Sequence, residues 1–141
     1  MTATAPDTPP LRGAQLADAV HTLILRHPER HNQRVWLART TPSATLCAST
    51  GCVAGWAAVL GYPKLKPAWY GCYETDWVWI YDDAEGRSIK DAAREALELP
   101  AGWADWLFDG NRSRHEVLRG LLRLSRGQNP LPVDVRAAYD Y

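Results

Sequence analysis

The stretch Cys47-Ala-Ser-Thr-Gly-Cys-Val-Ala-Gly-Trp-Ala-Ala-Val-Leu60 decides the fold. From Gly51 to Leu60 it holds no charged side chain and leaves no polar face at helical spacing. A helix that is apolar all round has nothing to turn toward water, so it belongs at the centre of a domain. The expected helix covers about 51–60, with Ser49 or Thr50 accepting its first backbone N–H groups and Gly61 ending it. Ala54, Gly55, Ala57 and Ala58 would let neighbouring backbones come close, and Trp56 would fill the remaining space.

Toward the N-terminus, Leu16, Ala19, Val20, Leu23 and Ile24 recur at helical spacing and predict a helix over 11–26, ended ahead of Pro28. A polar connector, His27 to Gln33, leads to the short apolar patch Val35-Trp-Leu37 and a loop around Pro42. Residues 1–10, with three prolines, read as a disordered lead-in. Beyond Pro63 and Pro67 the texture changes. Trp69, Tyr70, Cys72 and Tyr73, then Trp77-Val-Trp-Ile-Tyr81, are β-favouring, with Glu74-Thr-Asp76 as a turn between them. They predict a two-stranded antiparallel hairpin over about 69–81 whose aromatic face lies on the helices.

Ser88-Ile-Lys-Asp91 is a capping-box-like start for a helix reaching about Glu98. Pro100 suits the first turn of a short helix carrying Trp103, Trp106, Leu107 and Phe108. Ser113-Arg-His-Glu116 is a full capping box, opening a last helix with Val117, Leu118, Leu121, Leu122 and Leu124 on its apolar stripe and Gly127 at its end. Residues 128–141, with Pro130 and Pro132, read as an extended tail. The expected fold is therefore α+β and mostly α: one domain over 11–127, with about five helices around the central one and a hairpin.

A chain of 141 residues suits one domain, and 46% hydrophobic with 23% charged residues excludes wholesale disorder. The formal net charge of zero removes the simplest case for a nucleic-acid binder. Charge is nevertheless segregated. Glu74 to Asp109 holds ten carboxylates against Arg87, Lys90 and Arg94, a net of −7, while Arg12–Arg39 and Asn111–Tyr141 each carry +3. The simplest expectation is that acidic and basic segments attract one another within the fold. Thirteen arginines against three lysines fit GC-rich coding, as in a high-GC bacterium or its phage. There is no basic start followed by an apolar run and no stretch near the ~20 apolar residues of a membrane span. Three cysteines make a poor disulfide framework, so a cytoplasmic protein with reduced thiols is expected.

Four groups of residues bear on chemistry. Cys47, Cys52 and Cys72 with His31 have the donor types of a structural zinc site, but Cys-x4-Cys is at the edge of zinc spacings and a second pair is missing. Cys52, near a helix start, would have a lowered pKa and become a nucleophile if His31 stood beside it. Glu74, Asp76, Asp82, Asp83 and Glu85 cluster around the hairpin without the alternate spacing and closing Glu of a calcium loop, so a solvated turn is the simpler reading. Seven tryptophans exceed ordinary usage, and Trp103 and Trp106 on a short acidic helix are the expected surface anchors.

Residues 89–124 resemble the layout of phage-repressor-type DNA-binding domains. Arg94 stands where that family has a small buried residue. The would-be recognition helix holds Asp105 and lacks Arg, Lys, Asn and Gln to read bases. Arg112, Arg114, Arg119, Arg123 and Arg126 would contact phosphates instead, from the following helix.

Pro28, Glu29, Trp36, Cys47, Cys52, Ala54, Gly55, Trp56 and Ala57, followed by Ala93, Leu97, Leu99, Leu107 and Phe108, carry a second resemblance. Over about 16–110 the chain resembles a set of small uncharacterised proteins of actinobacteria and their phages, marked by a C-x4-C-x-A-G-W-A helix. Ala48-Ser49 departs from the Gly-Thr of that pattern, at the expected helix cap. The resemblance implies a shared fold and a mobile-element origin, and it supplies no activity, cofactor or catalytic residue. With no phosphate-cradling Gly loop or nucleophile motif, a cofactor-free, non-enzymatic binding protein is expected. Its partner would be a host protein or a second copy of itself, engaged through Trp103, Trp106, Asp82, Asp83, Glu85 and Asp105. DNA binding and a structural zinc domain are the alternatives.

Overall fold

Over residues 10–39, 49–69, 74–80 and 86–141, which the computed structural model describes, the chain runs through five α-helices and six short strands. In order these are α1 (Gly13–Arg26), a 3-10 turn (Pro28–Arg30), β1 (Leu37–Ala38), β2 (Thr50–Gly51), α2 (Val53–Gly61), β3 (Lys66–Pro67), β4 (Glu74–Thr75), β5 (Trp77–Trp79), β6 (Gly86–Ser88), α3 (Ile89–Leu97), α4 (Ala101–Leu107), α5 (Arg114–Ser125) and a 3-10 segment (Val133–Tyr139). The fold is α+β and mostly helical, as the sequence predicts.

Helix α2 is the centre. Seven of its nine residues are buried, among them Trp56 at 2% exposure. It packs chiefly on α3 and α1, while the widest helix contact in the molecule is between α1 and α5. Close backbone approach occurs at Gly55, where a Cβ would collide with the carbonyl oxygen of Trp36. The expected cap is not used. Thr50 and Gly51 form β2, and α2 starts at Val53 with Cys52 as N-cap and no side-chain cap bond. Other starts follow the sequence. The Ser88 hydroxyl accepts from Asp91 N–H, and Ser113 and Glu116 form a complete capping box.

In place of one hairpin over 69–81 there are two three-stranded antiparallel sheets, ordered β2-β1-β4 and β3-β5-β6. The expected turn Glu74–Thr75 is a strand paired with Leu37–Ala38, and Trp77–Trp79 pairs with Lys66–Pro67 and Gly86–Ser88. The buried Thr75 makes the switch between sheets. Its hydroxyl lies 2.5 Å from the Ala68 carbonyl and accepts the Trp77 N–H at 3.0 Å. Tyr70, Cys72, Tyr73 and Tyr81 of the expected hairpin lie outside the described residues, as do residues 1–9 of the expected lead-in.

The C-terminal residues also depart from expectation. They are not an extended tail. Leu131 is fully buried, and Val135 and Tyr139 pack against the core. The Leu131 carbonyl accepts from Arg123 Nη1 at 3.0 Å and Arg136 Nε at 3.1 Å, and Gly102 N–H donates to the Tyr141 carbonyl at 3.1 Å. The segment lies on α4. The single domain therefore extends past residue 127.

Truncating Trp56 removes the largest side chain of the central helix and leaves the Arg30 carbonyl, which its indole N–H holds at 2.7 Å, without that partner. Trp56→Ala is expected to cost about 3–5 kcal/mol, read as a lowered midpoint in urea denaturation at unchanged slope.

Candidate functional site

The residues singled out by sequence disperse. Trp106 is 2% exposed and packs inside the core, stacked under the Arg112 guanidinium at 4.8 Å, so it is not a surface anchor. Its side of α4 faces inward together with Gly102, Ala104 and Leu107. Trp103 is half-buried against the core. Asp105 is engaged within the fold, with Lys90 Nζ at 2.7 Å and the Tyr141 hydroxyl at 2.5 Å, and these bonds, Lys90 first, hold its carboxyl below the usual range. Asp82, Asp83 and Glu85 lie outside the described residues.

The zinc and nucleophile candidates fare similarly. Cys47 and Cys72 lie outside the described residues, and among those described no cluster of three metal-ligating side chains occurs. The buried Cys52 thiol faces the Trp36 carbonyl at 3.8 Å. Burial pushes its pKa up to about 11, against the opposing pull of the Gly55 and Ala54 amides. Desolvation thus overrides the helix-start effect that would have made it a nucleophile. His31, also buried, has both ring nitrogens occupied: Nε2 lies 2.9 Å from Gln33 Oε1, and Nδ1 accepts from Arg114 Nε at 3.3 Å. No lone pair is left for a metal.

The repressor-like layout does not present a recognition helix. Helix α4 has seven residues, four of them buried, and the C-terminal segment lies on it. Of the five arginines of the following helix and its approach, three are spent in the fold. Arg112 bonds the Trp106 carbonyl at 3.0 Å and pairs with Asp109 and Glu116, Arg114 holds His31, and Arg123 holds Leu131. Among the described residues, Arg119 and Arg126 are exposed and make no such contact.

What the fold builds instead is a buried polar hub around Gln33, a residue the sequence did not single out. Its Oε1 accepts from His31 and from the Val53 N–H at 3.3 Å, and its Nε2 donates to the carbonyls of Leu107 at 2.9 Å and Asp109 at 3.2 Å. All four hydrogen-bonding positions of the amide are filled. Because Nε2 is committed to two carbonyls, Oε1 must face His31, which sets the imidazole as the Nε2–H tautomer with Nδ1 as acceptor. Burial is the main reason its pKa lies below 6.5, and the Arg114 charge adds to it.

Among the described residues, the exposed tryptophans lie on the second sheet. Strand β5 alternates, with Val78 and the following Ile80 buried and Trp77 and Trp79 exposed at 36% and 38%. Both indoles stand over β6. At Gly86, paired with Trp79, a Cβ would collide with Trp77 Nε1 and Trp79 Cζ3, so only glycine leaves the rings this close together. Neither indole N–H has a hydrogen-bond partner among the described residues. Exposed Glu74 and Asp76 precede them. The period-two alternation of Trp77-Val-Trp-Ile80 was the signal that could have identified these two as the outward pair. No protein-family model, curated protein or solved structure matches the chain.

Gln33→Leu would orphan the Val53 N–H, the His31 N–H and two carbonyls, and is expected to cost about 2–4 kcal/mol in chemical denaturation. The lowered pKa of His31 fixes a sign as well. Below pH 6.5 the unfolded chain takes up a proton that the folded state refuses. Stability is therefore at its full value above 6.5 and declines as pH falls from there toward the folded pKa. Melting temperature should fall between pH 7.5 and 5, and His31→Gln should flatten that slope.

Proposed function

We propose that the chain is a non-enzymatic, cytoplasmic binding protein that engages a partner protein through the sheet face carrying Trp77 and Trp79. The observation that carries this is their joint exposure: two large indoles, side by side, on a strand whose packing uses only the alternate residues. Large apolar side chains grouped at a surface mark interaction sites, and tryptophan is favoured among interface anchors. Their unpaired N–H groups would orient a partner's carbonyls, and Glu74 and Asp76 beside them favour a partner with basic residues. Thus the aromatic and acidic character expected of the surface is kept, with Trp77 and Trp79 in place of Trp103 and Trp106.

Support for a non-enzymatic role comes from the nucleophile and the base that the sequence singled out together. Cys52 and His31 are both buried and both engaged. A phage-encoded accessory factor acting on a host protein is part of the same proposal and is supported by the resemblance of the Cys52–Ala57 helix. Self-association through the same face is its nearest variant.

The test compares the wild-type chain with Trp77→Ala/Trp79→Ala as bait in a nuclease-treated host lysate, alongside sedimentation of each alone. A stoichiometric partner, or a dimer, is expected with the wild type only. Loss of two anchors worth about 2 kcal/mol each should weaken binding roughly a hundredfold or more, with little change in melting temperature. Equal capture by both proteins would sink the proposal. So would duplex-DNA binding that falls steeply with salt and is weakened by Arg119→Ala.

A further inference from the structure

We propose that the cleft between the connector 29–34 and the loop 110–114 is a binding site for a phosphate group. The cleft has a volume of about 630 Å³. Its walls come from segments some eighty residues apart, with Asn32 and Arg34 on one side, Asn111 and Arg114 on the other, and Thr50 between them in sequence.

The charges in it are unequal. Arg34 is exposed, and its guanidinium makes no hydrogen bond or ion pair among the described residues, while its backbone N–H is held by Asn32 Oδ1 at 3.1 Å. Arg114 is oriented by His31, through Nε to the ring at 3.3 Å and Nη2 to the carbonyl at 3.5 Å, which leaves Nη1 uncommitted. Arg112 also lines the cleft but is neutralised by Asp109 and Glu116. The one carboxylate of the lining, Glu29, lies 3.4 Å from His27 Nδ1. On its far side Arg34 borders a smaller cleft with Glu74 and Asp76 and pairs with neither.

Two guanidinium groups without carboxylate partners thus open onto one cleft, where their repulsion opposes the fold and a bound anion would reverse it. The neutral groups around them, the side-chain Nδ2 groups of Asn32 and Asn111 and the Thr50 hydroxyl, are donors without partners among the described residues. A donor-rich, cation-bearing cleft matches the several acceptor oxygens and double charge of a phosphate, and arginine forks fit that geometry. The single ring of the lining, His31, is buried and bonded at both nitrogens, so no aromatic face is offered to a nucleobase there. The same phosphate chemistry is offered by a small phosphate compound and by a nucleic-acid backbone.

The experiment is a titration of the ¹⁵N-labelled full chain with inorganic phosphate, balanced with chloride at constant ionic strength. Saturable shifts confined to the amides of 32–34 and 110–115 are expected. Arg34→Gln should weaken binding about fivefold or more at a melting temperature no lower than the wild type's, since its guanidinium is bonded to nothing in the fold and its loss relieves the repulsion with Arg114. Arg119→Gln, a neutralised arginine outside the cleft, should leave binding unchanged. A second arm adds a short DNA duplex. If the duplex displaces phosphate, with affinity falling steeply as salt rises, the natural source is a nucleic-acid backbone, and if it does not, the site takes a small phosphate compound. Shifts that grow without saturation, or an Arg34→Gln variant that binds as the wild type does, would overturn the proposal. Arg114→Gln is a supporting variant only, because its contacts to His31 are part of the fold, and Arg34→Gln decides the matter even if that protein fails to fold.

Discussion

The side-chain amide of Gln33 sets where the central helix sits. Helix α2 begins in the interior, at a fully buried Val53, so its first N–H cannot be left to water. Its N-cap, Cys52, carries a thiol, a weak acceptor that makes no cap bond. An orphaned buried donor would cost about 1–3 kcal/mol. Gln33, twenty residues upstream, supplies the missing acceptor and with its other end takes the free carbonyls at the end of α4. One amide thus closes a helix start and a helix end and orients His31. The same connector provides the Arg30 carbonyl for Trp56. The apolar surfaces of α2 drive it into the core without choosing its rotation or height, and these polar bonds, each with a required direction, do the choosing.

That division explains what was legible in the sequence. Helices announced by a stripe and a cap, α3 and α5, and α1, announced by a stripe and a proline stop, were readable because these signals are local. The apolar character of α2 marked it as central, but its start was misplaced, because its acceptor comes from a distant residue and not from Ser49 or Thr50. The sheets were not readable in detail. Apart from Trp77–Ile80, whose alternation is visible, the strands of two or three residues are too short to show a period, and Glu74–Thr75 is β only because Leu37–Ala38 lies beside it. Trp106 looked like an anchor because its helix is short and acidic, yet that helix is covered on one side by the core and on another by the C-terminal segment. The chain termini of such a domain carry few local signals, and the burial of Leu131 is a tertiary fact.

The arrangement of charge can be followed among the described residues. There the acidic middle uses its own cations, Arg87 with Glu95 and Lys90 with Asp105, and reaches outside them through Asp109 and Arg112, close in sequence. The two basic segments instead share a long contact, α1 on α5, and meet again where Arg114 grips His31. Bringing like charges together costs energy, and the fold limits that cost by spending Arg112, Arg114 and Arg123 on carbonyls, a ring nitrogen and nearby carboxylates. Arg34 has no such outlet.

Function is most readable where a side chain does nothing for the fold. The second sheet needs Val78 and Ile80 to be apolar, while its outer positions would be served as well by threonine, which is equally at home in a strand. Placing two indoles there, with Gly86 beneath them, adds nothing to the packing of the core. The Arg34 guanidinium likewise adds no bond to the connector it sits on. Arg34 lines both the basic cleft and the cleft of about 380 Å³ that holds Glu74 and Asp76, so the acidic approach to the tryptophans and the basic cleft share one border. A ligand held at Arg34 would change the charge seen by anything docking across Glu74 and Asp76, adding negative field beside the carboxylates that the proposed function sets against a basic partner.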